Sequence, residues 1–237
     1  MELNTTNTFD NFVVGKSNRM AYMAAKAVTQ HPGTKYNPLW ITGKSGLGKT
    51  HLLGAVFHEI HEHDPKTVIE AYTAEELTAL LIKAAQADHV DALLSRLRQP
   101  DVLLIDDMQY LCGKSQTQAE FIRLLHALAD NNHQAVITSS VEAKGLQPFA
   151  DMYRRQFYGA ASVDIQPLED EECLELVRRK AMQEGLLLPE EAIVYISRHV
   201  GREARKIGGV IHHLKAEKEL MGSVIEMDTV RKTCDAR

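Results

Sequence analysis

Gly43-Lys44-Ser45-Gly46-Leu47-Gly48-Lys49-Thr50 decides the fold, because it satisfies the pattern G-x-x-x-x-G-K-[ST] at every fixed position. The apolar run Pro38-Leu39-Trp40-Ile41-Thr42 before it reads as a buried strand, and His51 to His61 after it reads as a helix. A strand, a glycine-rich loop and a helix in that order form the cradle the pattern requires. The three glycines let successive backbone N–H groups curl around an anion, and the positive end of the following helix faces the same anion. Lys49 is then placed to reach the β- and γ-phosphates of a nucleoside triphosphate. The Thr50 hydroxyl is placed to ligate magnesium.

A second block points to the same chemistry. Asp101-Val102-Leu103-Leu104-Ile105-Asp106-Asp107 is an apolar strand that ends in two carboxylates. In a parallel sheet such a strand delivers the pair to the carboxyl edge, where ligands bind. Asp106 is expected to hold magnesium, through water, and Asp107 to polarise an attacking water. Taken alone, the same block also fits a strand that stops at a solvated acidic turn.

Working outward, strand-like and helical patterns alternate. Thr67-Val68-Ile69-Glu70-Ala71 reads as a strand, followed by helices over Ala74 to Ala87 and His89 to Leu97. Phe121, Ile122, Leu124, Leu125 and Leu128 recur at helical spacing within Gln118 to Ala129, so that helix is expected to pack on the sheet. Gln134 to Ser140 and Ser162 to Ile165 are the remaining strands. The alternation predicts an α/β three-layer sandwich around a parallel sheet. After Pro167 the pattern is helical only, over Glu169–Glu184, Pro189–His199, Glu203–Leu220 and Met227–Cys234. Pro189 suits a first helical position, and Gly185 and Gly201 suit helix ends. The change at Pro167 divides the chain into a nucleotide-binding α/β core, 1–167, and a small all-helical domain, 168–237.

Composition is that of an ordinary globular protein, with 44% hydrophobic and 25% charged residues in 237. The apolar runs are strand-sized, so no membrane span is expected. Three widely spaced cysteines do not suggest a disulfide framework, and Met-Glu-Leu-Asn is no secretion signal; a cytoplasmic location is expected. The 27 Lys and Arg against 32 Asp and Glu give a net charge of −5. That balance argues against unspecific binding to phosphate backbones as the main activity. His58, His61 and His63 cluster at the end of the phosphate-loop helix, beside Glu59 and Glu62, and read as a solvated helix end. His212 and His213 read as surface.

Thr8-Phe9-Asp10-Asn11-Phe12-Val13-Val14-Gly15 with Ser17-Asn18-Arg19 resembles the opening of the ATPase domain of the DnaA family of bacterial replication initiators. Tyr36-Asn37-Pro38-Leu39, Gly46 to Leu53 and Leu104-Ile105-Asp106-Asp107-Met108-Gln109 resemble that family too. The resemblance implies the P-loop AAA+ fold with a helical lid, ATP and Mg2+ as cofactors, and slow ATP hydrolysis that controls assembly in the initiation or regulation of chromosomal replication. It implies an adenine slot at Phe12, Val13, Val14 and Gly15, and a nucleotide-binding loop comprising Ser45, Gly46, Leu47, Gly48, Lys49, Thr50 and His51. It places a first sensor of the γ-phosphate at Ser140, where the family usually carries aspartate, and a second at Arg205.

One departure from the family stands at Asp151-Met152-Tyr153-Arg154-Arg155-Gln156-Phe157. The family places an arginine finger just before the phenylalanine, where this chain has Gln156. Either Arg155 substitutes, although one helical step rotates a side chain by about a quarter turn, or activation between subunits is weak. The resemblance also implies self-assembly through the ATP interface, and contact with single-stranded DNA through the helices between Ala74 and Leu97. There, however, Lys83, Arg96 and Arg98 face Glu75, Glu76, Asp88 and Asp91, and no aromatic residue is available for base stacking. The family's duplex-reading domain would follow Arg237 and its helicase-contacting domain would precede the chain; neither lies within this sequence. A non-replicative, ATP-gated scaffold with little hydrolysis and no DNA binding stands as the alternative function.

Overall fold

Leu39–Gly43 (β1), Val102–Asp106 (β3) and Gln134–Ser139 (β4) are buried along their whole lengths, as apolar strands in the middle of a sheet covered on both faces must be. The computed structural model describes residues 6–140, 161–222 and 225–235. Ile69–Thr73 (β2) and Ala161–Ile165 (β5) complete a parallel sheet in the order β2-β3-β4-β1-β5. As the two edges, they are only partly buried.

Parallel neighbours require crossovers, and helices supply them. Lys49–His63 (α2) leads from β1 towards β2 and packs on β1, β3 and β4. Ala74–Gln86 (α3) and Val90–Leu97 (α4) lead towards β3. A 3-10 turn, Met108–Leu111, and Ser115–Asp130 (α5) lead towards β4. Phe121, Ile122, Leu125 and Leu128 of α5 share one core with Leu103, Ile105 and Ile137 of the sheet, as the helical spacing predicts. Burying each such side chain contributes about 1.5–3 kcal/mol. The alternate residue Leu104 is buried but lies outside that core, which follows from the two-residue period of a strand. The result is the three-layer α/β sandwich of P-loop proteins.

Among the described residues the chain divides into two compact units. The sheet unit comprises 6–12, 20–44, 49–140 and 161–165; the helical unit comprises 13–19, 45–48, 166–222 and 225–235. The helical unit consists of Asp170–Gln183 (α6), Glu190–His199 (α7), Ala204–Met221 (α8) and Met227–Asp235 (α9). Val177, Ile196, Ile211, Leu214 and Val230 form its core, and Val13 joins them.

Several elements differ from the sequence reading. Arg19–Gln30 (α1) is a helix that burial of Ala21, Ala24, Ala25 and Val28 stabilises, although small residues gave no strong apolar signal. The 3-10 turn after β3 was also not anticipated. α2 starts at Lys49 rather than His51. Pro189 is the extended residue before α7 (φ −66, ψ 153), with Glu190 as the first helical position. The histidine cluster separates by burial. His61 and His63 are exposed, and His61 stacks on Phe57 with centroids 5.8 Å apart. His58 is half-buried, and its Nε2 is shielded without a hydrogen-bond partner among the described residues.

Candidate functional site

In the sheet unit, the register brings the ends of β1, β3 and β4 to one edge. Thr42 pairs with Ser139 and Ile105 with Ile137, so Asp106 stands level with Thr138. Gly43 pairs with Ile165 on the other side; a Cβ there would lie 2.6 Å from the Ile165 carbonyl oxygen, which explains a glycine at the start of the loop. Lys49 opens α2 and is only 6% exposed. Its ammonium donates to the carbonyls of Gly43 at 2.8 Å and Lys44 at 2.9 Å, so the side chain runs back along the loop.

Asp106 is 3% exposed, and hydrogen bonds compensate its burial. The Thr50 hydroxyl donates to Oδ2 at 2.7 Å, the Thr138 hydroxyl donates to Oδ1, and the Asp107 N–H donates to Oδ1 at 3.0 Å. The Asp107 N–H also reaches the Thr138 hydroxyl at 3.2 Å. A hydroxyl and a carboxylate held this close are hard oxygen donors of the kind that bind magnesium together with phosphate and water. The residues present therefore fit that ion.

Asp107 follows β3 with φ 58 and ψ 46, a left-handed conformation that aspartate adopts more readily than most residues. The turn aims its carboxylate outward into solvent. There Gln109 Nε2 donates to Asp107 Oδ1 at 2.7 Å, while Gln109 Oε1 accepts the Ser140 N–H at 2.9 Å. Ser140, half-buried just past β4, is thus joined to Asp107 through one side chain. Phe12 lies 6.0 Å from Tyr22, stacked, and 5.1 Å from His51, edge-on. His51 Nε2 meets the Thr8 carbonyl at 2.9 Å, which ties the opening segment to α2.

The helical unit carries the middle of the phosphate loop. Gly46 has φ 81 and Gly48 has φ 101, so both need the freedom of glycine, and Leu47 between them is buried. Arg205, the second residue of α8, donates from Nη1 to the Ser45 hydroxyl at 3.2 Å, and its N–H donates to the Gly46 carbonyl at 3.2 Å. Its neighbours differ: Arg202 pairs with Asp170 at 2.6 Å and Lys206 with Glu203 at 3.1 Å.

Residues 13–19 also belong to the helical unit. Val13 is buried there and Val14 is exposed. Asn18 braces the turn, accepting the Gly15 N–H at 3.0 Å and donating to the Val13 carbonyl at 2.9 Å. Glu172 of α6 is 7% exposed and accepts the Ser17 N–H at 3.0 Å and the Glu169 N–H at 2.7 Å. A Cβ at Gly15 would fall 1.8 Å from Glu172 Oε1, so any other residue there would displace this carboxylate from its hydrogen bonds. Burial pushes the Glu172 pKa up, but hydrogen bonds from Ser17 and from the Glu169 and Lys16 backbones outweigh it. Its net pKa is lowered.

Arg155 and Gln156 lie outside the described residues. In the α3–α4 segment, Arg96 is engaged with Glu70 at 3.6 Å and with the Tyr72 hydroxyl at 3.1 Å, and Asp91 pairs with Arg123 at 3.3 Å. Thr138, Gln109 and Glu172 were not anticipated from the sequence. The first two matter only once β3 is known to lie beside β4, and the third only once residues 13–19 are known to pack on α6.

A parallel sheet in this order, a glycine-rich loop after β1, a carboxylate ending β3 and a following helical unit define the AAA+ class of P-loop proteins. Within that class the chain belongs to the DnaA family: the Bacterial DnaA ATPase domain model matches residues 3–164. It is 38% identical over 221 residues to the chromosomal replication initiator protein DnaA of Thermus thermophilus, covering 93% of this chain and 51% of that protein. The chain thus spans about half the length of this curated relative. Domain III of the Thermotoga maritima replication initiation protein DnaA superposes with a TM-score of 0.92 at 32% identity, covering 98% of this chain and 97% of that one. A replication initiator DnaA bound to AMPPCP and single-stranded DNA superposes with a TM-score of 0.82 at 28% identity, covering 94% and 70%.

Proposed function

We propose that this chain is an ATP-binding and slowly ATP-hydrolysing module of the DnaA type, which assembles under nucleotide control in the initiation or regulation of chromosomal replication. One observation carries the reading: the hydroxyl of Thr50 and the carboxylate of Asp106, 56 residues apart in sequence, meet at 2.7 Å. The nucleotide-bound relative supports the choice of ligand.

Lys49 exchanges its loop carbonyls for the β- and γ-phosphates and neutralises their charge. Thr50 and Asp106 would hold magnesium, which would offset charge on the phosphate oxygens. Asp107 accepts a hydrogen bond from a water and orients it towards the γ-phosphorus. As the water oxygen bonds to the γ-phosphorus, the bond from that phosphorus to the β-phosphate oxygen breaks and the water's proton passes to a phosphate oxygen, giving ADP and phosphate. By the family resemblance, Ser140 and Arg205 serve as the two sensors of the phosphates, Phe12, Val13, Val14 and Gly15 as the adenine-contacting segment, and His51 as part of the nucleotide-binding loop. Residues 1–167 serve as the catalytic core and 168–237 as its lid. Among the described residues no helix is long and apolar enough to cross a membrane.

Gln156 stands where the family carries its arginine finger, a group worth about a thousandfold or more in GTPases. Hydrolysis is therefore slow, and the ATP-bound state persists. Single-turnover hydrolysis over a range of protein concentrations, with and without single-stranded DNA, tests this. The expected wild-type rate is slow and nearly independent of concentration, while Gln156→Arg turns over faster as concentration rises. A wild-type rate that climbs with concentration and collapses in Arg155→Ala contradicts the slow module. Indifference to single-stranded DNA in both rate and binding favours the scaffold reading instead.

A further inference from the structure

We infer that Gln109 is a positioning residue, which clamps the Asp107 carboxylate and couples it to the end of β4 at Ser140. The inference rests on the role proposed above for Asp107, and it concerns a side chain to which neither the phosphate-loop pattern nor the acidic strand end assigns any role.

The geometry leaves one way to orient the amide. The Ser140 backbone N–H can only donate, so Gln109 must turn Oε1 towards it, at 2.9 Å. That leaves Nε2, a donor, facing Asp107 Oδ1 at 2.7 Å. Both ends of the amide are thereby used, and reversing it would break both bonds. The backbone beneath is equally fixed. Met108 and Leu111 are buried on either side of Gln109, and the Tyr110 N–H donates to the Asp107 carbonyl at 3.0 Å, closing the turn.

Asp107 needs such a clamp. Its own carboxylate is solvent-exposed, whereas its N–H is anchored to Asp106 and Thr138. The backbone is therefore set while the side chain would be free to change rotamer. A group that must orient a water loses rate steeply with misplacement, about a hundredfold for 1 Å. Gln109 removes that freedom. Because its other end is held by the residue just past β4, any shift of Ser140 on contact with the γ-phosphate is passed to Asp107 through a single rigid amide.

Gln109→Ala and Gln109→Glu test the clamp, with kcat, KM, ATP affinity and thermal unfolding measured on each. The glutamate variant keeps the length and the acceptor for the Ser140 N–H but sets a carboxylate against a carboxylate. Both variants are expected to stay folded, to bind ATP within about twofold of wild type, and to lose at least about tenfold in kcat. In an Asp107→Asn background, adding Gln109→Ala is expected to cost nothing more. Turnover within twofold of wild type in Gln109→Glu overturns the inference, as does a loss that falls on ATP affinity rather than kcat. If Asp107→Asn itself turns over like wild type, the role of Asp107 fails, and that result is distinct from a failure of the clamp alone.

Discussion

Asp106 and Asp107 are adjacent in sequence and chemically identical, yet their surroundings assign them different work. Asp106 is buried and receives hydrogen bonds from Thr50, Thr138 and the Asp107 backbone; Asp107 is exposed and held by Gln109 alone among the described contacts of its side chain. Asp106→Asn is expected to weaken magnesium-dependent ATP binding by about tenfold, or 1.4 kcal/mol, whereas Asp107→Asn leaves binding intact and stops turnover. Nucleotide titrations with and without magnesium, beside single-turnover assays, separate the two; equal loss of binding in both variants would show the division to be wrong. The sequence made the pair visible because an apolar run ends in it. It hid Thr138 and Gln109, whose relevance depends on β3 lying beside β4, a pairing that no local pattern encodes.

At the scale of elements, α6 illustrates how one side chain fixes a distant segment. Glu172 caps the start of its own helix through the Glu169 N–H and also receives the Ser17 N–H. Hydrogen bonds to a buried carboxylate are worth about 1.5–3 kcal/mol, so Glu172→Gln should lower stability to urea by about 2 kcal/mol at neutral pH. The folded pKa is lowered, so the folded state holds this proton less readily than the unfolded chain. The contribution is therefore fully present above the unfolded value of 4.5 and lost as pH falls through the lower folded value. Wild type and Glu172→Gln should differ by a constant amount above about pH 5.5 and converge below it. A gap that persists unchanged well into acid would mean that packing, not charge, accounts for it. Periodicity made most helices legible, α5 most clearly, because its large apolar residues repeat with the helical turn. It missed α1, whose buried face is mostly alanine, and the short turn over Met108–Leu111.

At the scale of the whole molecule, the sequence suggested a single cut near Pro167, whereas the compact units interleave. Residues 13–19 and 45–48 belong with the helical unit although they lie far from it in sequence. Such sharing follows from contacts rather than composition: Val13 enters the helical core, Gly15 fits against Glu172, and Ser45 and Gly46 receive hydrogen bonds from Arg205. The phosphate-loop pattern is divided accordingly: residues 45–48 group with the helical unit, and Gly43, Lys44, Lys49 and Thr50 with the sheet unit. Every role given to these residues depends on that loop binding ATP. Titration of the wild type and of Lys49→Ala with a fluorescent ATP analogue, in the presence of magnesium, tests it most directly. Saturable wild-type binding and a loss of more than about a hundredfold, some 2.7 kcal/mol, in the variant are predicted; binding by Lys49→Ala within about threefold of wild type, under 1 kcal/mol, would contradict the assignment of the site.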